Sequence, residues 1–187
     1  MNFCSQCGHK VSLRIPAGDN RERHVCDHCG SIHYQNPRIV AGCLPVHGHQ
    51  VLLCKRAIEP RYGLWTLPAG FMENGESTEE AALRETLEEA RAEVVLRKLY
   101  TVSSILHVNQ VQMIYLADLP EAHFGSSEET LETRLFSEDE IPWDELAFPT
   151  IRNALRFFFA DRAETSPSFP LRHLALSPGH EELLLES

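Results

Sequence analysis

The sequence predicts a mixed α+β domain with a small metal-stapled appendage at its N-terminal end. Three observations predict it. Two Cys-x-x-Cys knuckles, Cys4/Cys7 and Cys26/Cys29, are separated by 18 residues, which suits four thiolates around one zinc. Strand-length runs rich in β-branched residues follow. Two stretches with apolar residues at helical spacing interrupt those runs. At 187 residues, 43% hydrophobic and 24% charged, the chain can build one ordinary core plus an attachment.

The appendage comes first, over residues 1–35. Two residues between thiols let a tight turn aim both sulfurs at one ion, and two such turns complete a tetrahedron. Gly8 and Gly30 follow the knuckles, where a chain turning around the metal needs positive φ. A segment of this size has no useful apolar core, so zinc binding supplies most of its folding energy. Disulfides are the alternative, and they need an oxidising compartment for which nothing in the sequence argues. His9, His24 and His28 lie near the knuckles and could replace a thiol. Four well-spaced cysteines already close the site, which leaves the histidines as surface residues or supports. Cys43 and Cys54 sit in apolar, β-rich runs and read as small core residues.

Gln35-Asn36-Pro37 is a linker or turn, and a second domain is expected over residues 36–162. Residues 38–46 and 50–55 read as hairpin strands around His47-Gly48-His49, and residues 63–68 as a third short strand. A helix is expected over residues 77–91, with Ser77 or Thr78 as N-cap and Glu79 and Glu80 suiting its positive terminus. Its Ala82, Leu83, Thr86, Leu87 and Ala90 recur at helical spacing and define the expected buried face. Residues 94–107 and 110–119 are two further strands, turning near Val108-Asn109, and residues 130–136 are another. A second helix over residues 149–161 turns Ile151, Leu155, Phe158 and Phe159 inward. Beyond it Ser, Pro and Gly accumulate, so residues 163–187 are expected to lie extended on the surface or to be partly disordered.

Seventeen Lys+Arg stand against 27 Asp+Glu, for a net charge of −10. So acidic a chain has no broad electrostatic reason to coat nucleic acid or an anionic membrane. No apolar run approaches the roughly 18 residues of a membrane span, and the first ten residues hold no signal core. A cytoplasmic protein without membrane partners or general nucleic-acid binding is the expectation. The charge is also concentrated: residues 71–93 hold eight acids and two bases, and residues 121–145 hold nine acids and one base. A solvated helix face and a solvated loop account for both windows; a site for divalent cations is the sharper reading.

One stretch favours the sharper reading. Gly70-Phe-Met-Glu-Asn-Gly-Glu76 is followed by Arg84-Glu85-Thr-Leu-Glu88-Glu89. On a helix Glu85, Glu88 and Glu89 share one face within a turn. Unpaired, these carboxylates repel one another. A hard divalent ion reverses that balance, because it prefers carboxylate, water and phosphate oxygens. Arg84 can pair with Glu88 at i+4 or reach Glu76, and the 70–75 loop lets backbone carbonyls approach an ion. A surface helix with many glutamates is the bland alternative, but the full spacing Gly-x5-Glu-x7-Arg-Glu-x-x-Glu-Glu is far more specific.

That stretch resembles the signature box of the Nudix hydrolases, metal-dependent enzymes that cleave nucleoside diphosphates linked to another moiety. The box match runs over Gly70, Glu76, Arg84, Glu85, Glu88 and Glu89, and the wider similarity extends from the cysteines to about residue 160. The resemblance implies a Nudix-type mixed β-sheet sandwiched by helices. It implies Glu85, Glu88 and Glu89 as ligands of two or three Mg²⁺ (or Mn²⁺), with a backbone carbonyl of Ala69 or Gly70 adding another. Glu76 and Arg84 become the supporting ion pair, and the reaction is hydrolysis of a P–O–P bridge by metal-activated water. A homodimer is suggested by the wider family. Thr86 stands where a larger aliphatic is usual and Arg91 where glycine is usual, departures that bear on helix packing and the C-cap.

The ribbon-plus-box arrangement resembles NADH pyrophosphatases, but their Ser-Gln-Pro-Trp-Pro-Phe-Pro-like segment is missing. Ser103-Ser-Ile-Leu-His107 and Gln110-Val-Gln-Met-Ile-Tyr115 stand in its place. Tyr34-Gln-Asn-Pro37, Leu53-Cys-Lys-Arg56, the run from Gly63 to Gly70 and Glu132-Thr-Arg-Leu-Phe136 look more like the plant chloroplast ADP-ribose/FAD pyrophosphatase and its bacterial relatives. The expected substrate is therefore a small dinucleotide, FAD or ADP-ribose, yielding AMP with FMN or ribose 5-phosphate. NADH, NAD-capped RNA or a nucleotide sugar is the alternative within the class. A catalytically inactive zinc-ribbon/Nudix binding module is the alternative outside it.

The family often places a general base on a loop outside the box. The second acidic window offers Glu128, Glu129 and Glu132, of which Glu129 and Glu132 are the preferred pair. Tyr34, Trp65, Phe71 and Tyr115 are candidates for stacking on substrate rings, with core packing as the alternative for Trp65 and Tyr115. Lys55, Arg56 and Arg38 are candidates for a phosphate, with surface ion pairs as the simpler account.

Overall fold

The computed structural model describes residues 1–186, with side chains described to residue 179. The chain divides into two compact units, Met1–Pro37 and a second unit that begins at Arg38.

In the first unit β1 (Val11–Arg14), β2 (Arg23–Cys26) and β3 (Ile32–His33) form a three-stranded antiparallel sheet. Both knuckles use one local geometry. Gly8 donates its N–H to the Cys4 carbonyl and Gly30 to that of Cys26, each at 2.9 Å, and both glycines sit at φ +74. Cys4, Val25 and Cys26 are the buried apolar residues among those described in this unit, too few for a conventional core.

The second unit contains β4 (Arg38–His47), β5 (Gln50–Arg56), β6 (Trp65–Thr66), β7 (Ala69–Phe71), α1 (Thr78–Ala90), β8 (Val95–Ile105), β9 (Gln110–Asp118), β10 (Thr130–Phe136), α2 (Pro149–Ala163), β11 (Arg172–Ser177) and β12 (His180–Glu186). The main path of the mixed sheet runs β10-β5-β4-β9-β8-β11-β12, with β6 on β5 and β7 on β4. β4 and β9 pair in parallel, and β8 and β9 form an antiparallel pair. Side-chain alternation explains why the central strands are apolar on both faces. Leu44, Val51, Leu53, Ile114 and Leu116 pack with Ile151, Leu155 and Phe158 of α2. Their neighbours Ala41, Cys43, Tyr115 and Ala117 pack with Ala81 and Ala82 of α1. The sheet is thus sandwiched by two helices.

α1 opens with a capping box in which Ser77 and Glu80 satisfy each other's backbone N–H groups. Its buried face is Ala81, Ala82, Thr86, Glu89 and Ala90. Leu83 and Leu87, expected on that face, are exposed, because the helix is rotated to bury Thr86 and Glu89 rather than either leucine. The two departures in the box are accommodated locally. Thr86 is fully buried and donates its hydroxyl to the Ala82 carbonyl at 2.7 Å, which satisfies the hydrogen-bonding need of a polar group in an apolar place. Arg91 takes the left-handed C-cap conformation at φ 54 and donates its N–H to Leu87, a position where glycine avoids strain.

The C-terminal stretch corrects the expectation of a surface-lying or disordered extension. β11 joins the sheet parallel to β8 and buries Leu174 and Leu176. Arg172 reaches Asp161 of α2 through two hydrogen bonds of 2.6 and 2.7 Å, and Tyr100 donates to the same carboxylate at 2.7 Å. The apolar alternation here covers only a few residues and follows a Ser/Pro-rich segment, so its strand pattern carries little weight in sequence. Ser187 lies outside the described residues.

Candidate active site

The turn from β7 into α1 builds an acidic face. Arg84 organises it: Nε and Nη2 hold the two Glu76 oxygens at 3.0 and 2.7 Å, Nη1 reaches Glu85 at 2.7 Å and Glu88 at 3.1 Å, and Nη2 also donates to the Phe71 carbonyl. The Arg84 guanidinium, together with the Glu73 amide, holds the Glu76 carboxyl down at about 2. Glu89 points elsewhere and accepts from the Ala69 N–H at 3.1 Å. Burial pushes the Glu89 carboxyl up to about 8, and the neighbouring charges of Glu85 and Glu129 push the same way. Glu85 is also raised, chiefly by burial.

Two glycines set this geometry. A Cβ on Gly70 would lie 2.2 to 2.5 Å from the Glu85 carboxylate, so only glycine lets that carboxylate rest against the strand. A Cβ on Gly42 would lie 2.3 Å from both the Pro68 carbonyl and Ala69, so glycine there lets β7 close onto β4. Arg84 offsets one of the three negative charges of Glu76, Glu85 and Glu88 while Glu89 turns to Ala69, so the face stays acidic. The donor set suits a hard divalent ion: carboxylate oxygens, one of them buried at a cost that a cation would offset.

These glutamates border a cleft of about 1180 Å³, which is large for a small-molecule site. Its floor is the α2 face of the sheet, with Val40, Gln110, Gln112 and Ile105 from β4, β9 and β8 and Leu176 from β11. Phe148, Pro149 and Thr150 at the start of α2 and Glu59, Pro60 and Arg61 form walls, and Glu128 and Glu129 approach from the loop before β10.

In the first unit the thiols of Cys4, Cys7, Cys26 and Cys29 converge. Their sulfurs lie 3.7 Å (Cys4–Cys29), 3.5 Å (Cys7–Cys26) and 3.5 Å (Cys7–Cys29) apart. Four sulfurs at ~2.3 Å from a tetrahedral zinc lie about 3.8 Å from one another, whereas a disulfide needs about 2.05 Å. The arrangement fits zinc, and all six cysteines are free. The His9 and His28 rings stack on each other at 3.7 Å and lie with Cys7, and His24 meets the N-terminal amine; the four-thiol group is complete without any of the three.

Residues 36–158 match the model of the NUDIX domain, and residues 2–35 match the Nudix N-terminal zinc-ribbon model. The chain belongs to the Nudix family. Among curated relatives, the NAD-capped RNA hydrolase NudC of Edwardsiella ictaluri is 32% identical over 118 residues, which are 62% of this chain and 43% of the relative. The NudC of Haemophilus influenzae (strain PittGG) is 31% identical over 144 residues, 74% of this chain and 52% of its own. The chain spans about half the length of the curated relatives it matches. Among solved structures, a NUDIX hydrolase from Nitrosomonas europaea is 50% identical with a TM-score of 0.88, over 94% of this chain and 100% of that one. An ADP-ribose pyrophosphatase from Streptococcus suis shares the fold, at 20% identity and a TM-score of 0.60, over 74% of this chain and 99% of that one.

The structure gathers some of the residues singled out in sequence at the Nudix cleft and removes others. Gly70, Ala69, Arg84, Glu85, Glu88, Glu89, Arg56, Phe71 and Glu129 all line it. Phe71 is 46% exposed and carries the Arg38 guanidinium 4.5 Å over its ring. Arg56 donates to the Pro60 carbonyl at 2.9 Å, and its positive charge acts on Glu89. Trp65 is corrected to a core residue, packed edge-on against Phe136 with the Lys55 ammonium 5.5 Å over its ring. Tyr115 is likewise buried and anchors α1 through a 2.7 Å hydrogen bond to Thr78. Glu132 is exposed on β10, cross-strand from Lys55, and neither is among the residues lining the cleft. Glu132 lies within β10, whereas Glu129 sits on the turn before it, and only Glu129 lines the cleft. Tyr34 belongs to the first unit, where Arg23 covers its ring at 5.0 Å. Sequence reasoning missed Gln112 and Thr150, because neutral polar residues on a strand and at a helix start carry no signature.

Proposed function

We propose that this Nudix chain is a divalent-metal-dependent pyrophosphohydrolase of dinucleotides, with residues 36–162 as the catalytic domain and residues 1–35 as a ribbon closed by one zinc. The observation that carries the reading is the placement of Glu85, Glu88 and Glu89 on the rim of a cleft of about 1180 Å³, with Glu89 pushed up to about 8 by burial. Those three carboxylates would hold Mg²⁺ or Mn²⁺, which supplies an activated water and neutralises pyrophosphate charge. Arg84 keeps the carboxylates apart from one another and positioned, through its hold on Glu76. Glu129, whose charge acts on both Glu85 and Glu89, is the proposed acceptor of the water's proton. Arg56 faces the bridging phosphates, and Phe71 offers a flat face for a ring.

The NAD-linked substrates stand first, supported by the NAD-capped RNA hydrolases among the relatives. The net charge of −10 favours the free dinucleotide, NADH or NAD⁺, over a long RNA as the bulk of the ligand. FAD and ADP-ribose form the second reading, supported by the runs Leu53-Cys-Lys-Arg56 and Glu132-Thr-Arg-Leu-Phe136. A panel of NADH, NAD⁺, FAD, ADP-ribose and a nucleotide sugar, with the products identified, separates them. Release of AMP and reduced nicotinamide mononucleotide from NADH at the highest kcat/KM is the expected result. Faster turnover of FAD or ADP-ribose selects the second reading. No turnover of any member would leave a binding module.

A further inference from the structure

Two buried polar atoms in the cleft have no partner. Gln112 is 7% exposed and Thr150 is 4% exposed, both line the cleft, and neither the Gln112 Oε1 nor the Thr150 Oγ1 makes a hydrogen bond. A buried polar atom unpaired within the protein is unfavourable, and in a cleft water, an ion or a ligand supplies the missing group. The two come from opposite walls. Gln112 lies on the sheet floor, flanked in register by Val40 on β4 and Ser103 on β8. Thr150 is the second residue of α2, whose N-cap, Phe148, makes no side-chain capping hydrogen bond. With Val40 on one side of Gln112 and Ser103 on the other, the apolar side chains of Ile105, Leu176 and Phe148 line the same cleft. Apolar side chains beside orphaned polar atoms suit a heterocycle, which has an apolar face and a polar edge.

We propose that this part of the cleft is the subsite for a heterocycle bearing an amino or carboxamide N–H₂, read by the Gln112 carbonyl oxygen as acceptor and the Thr150 hydroxyl as its companion. The proposal rests on the dinucleotide reading above and names the groups that select among dinucleotides. Adenine and nicotinamide share that chemistry. Gln112 and Thr150 are specificity residues that touch substrate at its ring, away from the scissile phosphates. β11 belongs to the same subsite, since Leu176 extends its floor, which gives the C-terminal hairpin a function.

Binding of four mononucleotides to the whole zinc-loaded chain in Mg²⁺ tests this by calorimetry. AMP against IMP exchanges the purine amino group for a carbonyl oxygen; nicotinamide mononucleotide against nicotinic acid mononucleotide exchanges the carboxamide N–H₂ for a carboxylate oxygen. The wild-type protein is expected to discriminate within one of the two pairs by about 10-fold or more, because a site built to pair a polar edge rejects the analogue that lacks it. The pair that shows it identifies the ring. In Gln112→Leu the preference is expected to fall to within about 2-fold, and in Thr150→Val to weaken. Gln112→Leu is also expected to melt no lower than wild type, since it deletes an unsatisfied buried atom, and Gln112→Met repeats the measurement with a more adaptable side chain. Equal affinities within both pairs, no measurable binding of any of the four, or a preference that survives Gln112→Leu and Gln112→Met would overturn the proposal. Hydrolysis plays no part in the measurement, so its outcome is independent of whether the chain turns over dinucleotides.

Discussion

Gly70→Ala should leave the fold standing and disable the site. The new Cβ would meet Glu85 Oε2 at 2.2 Å, Cδ at 2.3 Å and Oε1 at 2.5 Å. Ordinary contact begins near 3.4 Å, so the carboxylate has to move by about 1 Å or more and leave its 2.7 Å bond to Arg84. Only the far end of a flexible side chain moves, which costs little stability. The position of that end is what the chemistry needs, and a displacement of about 1 Å can lower a rate by roughly 10²-fold. Gly42→Ala is the contrasting control. Its Cβ would meet the Pro68 carbonyl at 2.3 Å and the Ala69 Cα at 2.7 Å, and backbone cannot step aside. That variant is expected to lose about 1–3 kcal/mol, or some 2–12 °C in Tm at this chain length. The assay pairs a thermal melt with kcat/KM for the preferred dinucleotide at saturating Mg²⁺. A Gly70→Ala protein with wild-type kcat/KM, or one melting as low as Gly42→Ala, refutes the reasoning.

Glu89 predicts a pH dependence. Its carboxyl is pushed from the ordinary 4.5 up to about 8 by burial, so the folded value lies above the unfolded one and the metal-free protein loses stability as pH rises from about 4.5 toward 8. A divalent ion needs the carboxylate, so Mg²⁺ or Mn²⁺ affinity should climb over the upper part of that window and level beyond it; titrations in Glu89→Gln should lack the rise. Asp161→Ala strips the buried Arg172 of its carboxylate partner and is expected to destabilise the second unit by about 3–5 kcal/mol in urea unfolding, whereas an unchanged midpoint would mean that β11 is held by other contacts. Elemental analysis should find one zinc per chain on Cys4, Cys7, Cys26 and Cys29. Its removal should open residues 1–37 to hydrogen exchange, and paired disulfides in the purified protein would contradict that site.

What was legible in the sequence was whatever has a fixed period or spacing. The knuckles at Cys4/Cys7 and Cys26/Cys29 have ligand spacing, and the thiols do converge. The helix around Glu85, Glu88 and Glu89 has a cap, a period and a box, and it spans Thr78–Ala90. The illegible part depends on which face of an element meets which neighbour. Leu83 and Leu87 have the spacing of a buried stripe, yet the helix turns Thr86 and Glu89 inward in their place. Trp65 and Tyr115 are as aromatic as Phe71, but the strand period buries them and leaves Phe71 at the cleft. β11 was hidden because its alternation is short and its partner β8 lies far away in sequence. Gln112 and Thr150 became visible only through the burial of atoms left without partners.

The most direct test of the central claim is the rate of AMP release from NADH by the whole chain, with and without Mg²⁺ or Mn²⁺, in wild type and in Glu89→Gln. The account predicts AMP together with reduced nicotinamide mononucleotide only when the ion is present, and a loss of about 100-fold or more in the variant. Release at the same rate in the presence of a chelator, or in Glu89→Gln, would contradict it, as would the absence of AMP from NADH, FAD and ADP-ribose alike with either ion.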